Sequence, residues 1–95
     1  MSKIALLGPR ALVEPLSACG IDTLPCDSRL SGCSHLKELI DQGRHEVLLV
    51  TERLAQELPE ELLAAEKKNI NVLLLPDHLG SVGLYQEKLK GLIHD

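Results

Sequence analysis

The chain has 95 residues and a formal net charge of −4, with no Phe or Trp and a single tyrosine, Tyr85. An acidic chain without stacking rings is a poor match for nucleic acid, which selects basic faces and aromatic platforms. One domain over residues 1–95 is expected, because a chain this short buries roughly 60–65% of its unfolded surface around a single core, built here from Leu, Ile, Val and Ala.

The three cysteines, Cys19, Cys26 and Cys33, are an odd number and do not suit a disulfide framework. No apolar run approaches the ~20 residues that span a bilayer, and no signal peptide is visible. Direct membrane insertion is therefore not expected, and the cytoplasm is the expected compartment.

The first apolar run is KIALL (3–7). It is nearly continuous, as are EVLLV (46–50) and INVLLL (70–75), and such runs suit strands covered on both faces. IDTLP (21–25) alternates instead and reads as an edge strand. Helical segments fall between these runs. The first covers about Leu12 to Cys19, with Pro15 tolerable only in its first turn and Gly20 as its stop. The second covers about Arg29 to Gln42, with Asp27 or Ser28 as N-cap and Gly43 as stop. Leu36, Leu39 and Ile40 mark its buried face.

The third crossover, TERLAQELPEELLAAEKKN, divides at Pro59 into two short helices. Thr51 is expected to cap the first, which carries Leu54 and Leu58. Leu62 and Leu63 are expected to be buried in the second, while Glu52, Glu57, Glu60, Glu61 and Glu66 form a solvated face. A last helix is expected from about Gly83 to Ile93, with Leu84 or Tyr85, Leu89, Leu92 and Ile93 facing inward. The alternation predicts an α/β fold: a four-stranded parallel sheet with right-handed crossovers, flavodoxin-like or receiver-like, in the strand order 2-1-3-4.

Ligands of such sheets sit at the carboxyl ends of the strands. The turn after the first strand, Gly8-Pro9-Arg10, lacks the G-x-G-x-x-G fingerprint, and Pro9 removes a backbone donor. It also lacks the acidic pair of a receiver domain and the cysteine of a sugar-phosphotransferase B-type domain. The third strand ends in Val50-Thr51-Glu52 rather than a phosphoacceptor Asp. Cys26 follows the second strand and is expected to be packed or half exposed rather than catalytic. Cys26, Cys33 and His35 lack the spacing and the fourth ligand of a structural zinc site. After the fourth strand, Gly80 and Gly83 lie three apart without the Lys-Ser or Lys-Thr of a phosphate loop. Asp77, beside them, has the wrong charge for a phosphate. Asp77, His78 and Ser81 crowd one turn, where a hydrolytic triad rarely assembles. His45 and His94 are expected to face solvent. No catalytic residue, metal or cofactor is expected.

Four stretches in this order carry a resemblance: KIALLG, SACGIDTLPCDS, EVLLVTERLAQELPEEL and LLLPDHLGSVGLYQEKLKGLI. Together they resemble the small F subunit of the V-type (A/V-type) ATPase/ATP synthase family, over nearly the whole chain. The resemblance implies a non-catalytic central-stalk component. Such a component binds the coiled-coil D-type shaft subunit, contacts the catalytic A/B head, and helps couple ATP turnover to proton or sodium translocation from the cytoplasmic side, peripheral to the membrane. It implies partner contacts at Gly80, Ser81 and Gly83 in the turn, and at Leu84, Tyr85, Lys88, Leu89 and Leu92 in the mobile helix that follows (83–95). Members of that family often continue into a basic or apolar tail. This sequence ends at His94-Asp95, so a long regulatory extension is not expected. The alternative is a degenerate receiver-like or other small α/β ligand-binding or adaptor domain.

Overall fold

The computed structural model describes residues 3–76 together with Glu87, Lys90 and Gly91. Four strands, β1 (Ile4–Gly8), β2 (Asp22–Pro25), β3 (Val47–Thr51) and β4 (Asn71–Leu75), alternate with helices. They form one parallel sheet in the order β2-β1-β3-β4, as the alternation predicts. β1 and β3, at the centre, are buried on both faces, as their nearly continuous apolar runs suit. The equally apolar run of β4, expected to be covered in the same way, is instead at the edge with Leu73 and Leu74 exposed, since no further strand pairs with it among the described residues. Ala5 and Leu7 of β1 and Leu48 and Val50 of β3 point into one core, and Leu6 and Leu49 into the other. β2, whose residues are all partly exposed, is one edge, and β4 is the other.

Between β1 and β2 the chain forms a short α-helix, α1 (Arg10–Val13), that tightens into a 3-10 helix over Glu14–Cys19. An α-helix from Leu12 to Cys19 was the expectation. Pro15 has no N–H to donate one turn back, and the chain continues with tighter turns. This segment covers one face of the sheet through Val13 and Leu16. α2 (Arg29–Gln42) covers the other, burying Leu36 and Leu39 with Ile40 beside them. Its N-cap is Ser28, whose side chain accepts the N–H of Ser31. Gly20 (φ 80°) and Gly43 (φ 65°) stop the first and second helical segments in the left-handed conformation.

The third crossover is two helices, α3 (Glu52–Glu57) and α4 (Pro59–Lys67), with Pro59 opening the second. They lie on the α2 side of the sheet and bury Leu54, Leu58, Leu62 and Ala65. Leu63, expected inside, is 52% exposed. Successive helix residues are about 100° apart, so once Leu62 and Ala65 define the buried face, Leu63 turns outward. Of the expected last helix, Glu87, Lys90 and Gly91 are described, and all three are helical and exposed.

The seam between α2 and α4 is closed at Gly32. A Cβ there would lie 2.9 Å from Leu58 Cδ1 and 3.1 Å from Cys26 Sγ, both on buried residues. Gly32→Ala gains about 1 kcal/mol of helix propensity but overpacks the seam at a cost of about 1–3 kcal/mol. A net loss of about 1 kcal/mol is expected in urea denaturation. A gain would mean that Leu58 can move aside.

Candidate functional site

The fold places its ligand crevice where the strand order reverses, between the carboxyl ends of β1 and β3. An open cleft of about 230 Å³ lies there, lined by residues that include Pro9, Cys26, Asp27, Thr51 and Arg53. Its floor is closed by close packing. Gly8 stands opposite Thr51, and a Cβ on Gly8 would approach Thr51 Cγ2 to 3.1 Å. Thr51 is fully buried, and its hydroxyl finds no hydrogen-bond partner among the described residues. Thr51 is the residue before α3 but makes no side-chain cap, contrary to expectation, because its side chain is turned into the sheet–helix junction.

In phosphate-binding sheets the helix after β1 points free N–H groups at an anion. Here the first N–H of α1, that of Arg10, donates to Asp27 Oδ1 at 3.1 Å. A carboxylate of the chain already occupies that direction. Pro9, one residue earlier, has no donor to offer.

The cysteines have structural partners. Cys26 is buried, donates to the Ser28 carbonyl at 2.9 Å and receives Ser31 Oγ at 3.4 Å. Cys33 donates to Glu61 Oε2 at 3.3 Å across the α2–α4 seam. Burial pushes the Cys33 thiol up, and the Glu61 carboxylate pushes it further, away from the nucleophilic thiolate. Glu61 was expected on the solvated acidic face. It is half-buried, and its carboxyl is held below the usual carboxylate range by its own backbone N–H, then by Cys33 and Arg29. His35 Nε2 meets the Pro25 carbonyl at 3.1 Å, so it is not aimed at the two thiols. Among the described residues no group of three or more His, Cys, Asp or Glu side chains could hold a metal ion.

At the opposite end of the sheet is a polar cluster that the sequence did not reveal. His45, expected in solvent, is 7% exposed. Its Nε2 meets Asp22 Oδ2 at 2.7 Å, and Arg44 Nη1 donates to the same oxygen at 3.0 Å. His45 Nδ1 is buried without a partner among the described residues. The hydrogen bond from His45, with help from Arg44, holds the Asp22 carboxyl below its usual pKa. This cluster ties the first residue of the edge strand β2 to the loop that enters β3.

The residues expected to bind a partner, Gly80, Ser81, Gly83, Leu84, Tyr85, Lys88, Leu89 and Leu92, lie outside the described residues, as do Asp77, His78 and His94. Among the described residues no helix is long and apolar enough to cross a membrane. The family model of the ATP synthase (F/14-kDa) subunit matches residues 4–93. The chain belongs to the ATP synthase (F/14-kDa) subunit family. No curated protein matches it. The family match spans all four strands and the helices between them, and membership makes the chain a subunit of a rotary ATPase. The filled position at α1 is in keeping with an accessory place in that complex.

Asp22→Ala removes the acceptor of two donors and leaves His45 buried without its partner. A loss of about 1–3 kcal/mol is expected by thermal denaturation. Because the folded-state pKa of Asp22 is lowered, its contribution is complete above the ordinary value of 3.8 and is lost as the pH falls below it. The wild-type and variant stabilities should therefore converge in that acid range. Parallel curves down to the lowest pH at which both fold would show that the carboxylate charge is not the cause.

Proposed function

We propose that the chain is a non-catalytic central-stalk (rotor) component of a V-type ATPase/ATP synthase. It binds the coiled-coil D-type shaft subunit and helps couple ATP turnover to proton or sodium translocation, on the cytoplasmic side and peripheral to the membrane. The match of the family model over residues 4–93 carries this reading. The strand ends support it. The crevice is closed beneath by Gly8 and Thr51, the N-terminus of α1 at its edge is answered by Asp27, and Cys26, which lines it, is bonded to the Ser28 carbonyl. A small α/β sheet so arranged serves better as a rigid body to be gripped than as a container for substrate.

In this reading residues 1–95 act as one domain, and the segment from Gly80 to Leu92 supplies contacts to the shaft and the catalytic A/B head. Co-expression with the D-type shaft subunit of the same complex is expected to give a one-to-one assembly on size-exclusion chromatography. ATP or ADP in large excess is expected to leave the melting temperature of the isolated chain unchanged, since a ligand that binds only the folded state must raise it. Separate elution of the two chains, or a nucleotide-dependent rise in melting temperature, would overturn the assignment.

A further inference from the structure

The edge at β4 has an unusual surface. Of the large apolar side chains that are exposed among the described residues, Leu63, Leu73 and Leu74 lie on α4 and β4, at 52%, 39% and 53% exposure. Leu74 and Val72 line a groove of about 450 Å³ whose other wall is α3 and α4, with Ala55, Pro59 and Leu62. The charged residues lining it are Glu52 and Glu66, with no basic residue among them. Glu52 opens α3 just beyond the carboxyl end of β3, and Glu66 lies near the end of α4, close to where β4 begins. The groove therefore runs along β4 with an apolar floor and a carboxylate toward each end.

We infer that this groove is the seat of a helix of the partner coiled coil, one whose exposed stripe carries apolar residues a turn apart with Lys or Arg at both ends. The inference rests on the rotor reading for the source of that helix, and on the groove for its position and chemistry. β4 has five residues and is about 17 Å long. About eleven helical residues cover that length. Such a helix continues the layer formed by α3 and α4 outward over the edge strand, covers Leu74 and the flank at Leu63, and sets its cations against Glu52 and Glu66. An acidic or uniformly polar helix would leave the leucines in water or face like charges at both ends.

The test uses the full chain and the D-type shaft subunit of its own complex, with the dissociation constant measured by titration at several salt concentrations. Leu74→Lys places a cation in the groove on an edge strand, where lysine is well tolerated. It is expected to weaken binding at least tenfold. The double variant Glu52→Gln with Glu66→Gln is expected to bind more weakly and to flatten the salt dependence. Leu30→Lys, at a residue 82% exposed in the first turn of α2, is expected to bind as the wild type does. Circular dichroism and melting curves establish that each variant is folded. Wild-type binding that Leu74→Lys and the glutamine pair leave unchanged would overturn the groove and leave the rotor reading standing. No binding by the wild type would overturn both.

Discussion

The side chains of Ala5, Leu6, Leu7, Leu48, Leu49 and Val50 are withdrawn from water on both faces of two paired strands. Two adjacent strands that carry apolar side chains on both faces can persist in water only if both faces of the sheet are covered. That requirement places α1 and its 3-10 continuation on one face and α2, α3 and α4 on the other. It suits β1 and β3 to the centre and the less apolar β2 to an edge, while β4, as apolar in sequence as β3, is the other edge and leaves Leu73 and Leu74 partly in water. The crossovers between parallel strands then supply the covering helices. The positions of the crevice, of the His45 cluster and of the β4 groove all follow from that layering.

The strand-end crevice and the β4 edge answer to different physics. At the crevice the chain answers several of its own polar groups. Asp27 takes the N–H that an anion would take, Cys26 is bonded within its turn, and Gly8 lets Thr51 close the floor. At the β4 edge the apolar surface is not answered among the described residues. Leu63 and Leu74 stand about half exposed, and Leu73 on the other face of the strand is somewhat less so. Apolar area left in water around an edge strand is a standing invitation to association.

Much of the fold was legible because the signals that set it are local. The bounds of α2 could be read from Ser28 and Gly43, and the split of the third crossover from Pro59, since capping and proline chemistry act within one helical turn. The misreadings have the opposite character. His45 looked like a loop histidine because its partner Asp22 is 23 residues away and comes within reach only across the start of β1. Glu61 looked like one more solvated glutamate because Cys33, 28 residues away, meets it only when α2 and α4 pack. Leu63 followed an apolar neighbour in sequence and was read with it, although one helical step separates a buried position from an exposed one.

By itself the sequence determined the alternation of strands and helices, the parallel sheet which that alternation implies and the lack of a phosphate-binding fingerprint at the strand ends. Each depends on residue type and spacing over a handful of positions. Only the tertiary structure decided which polar groups are buried in pairs, that Asp27 takes the N-terminal amide of α1, and where apolar side chains remain in water. Those outcomes depend on which surfaces meet when the crossovers close, and segments more than twenty residues apart along the chain become neighbours only then.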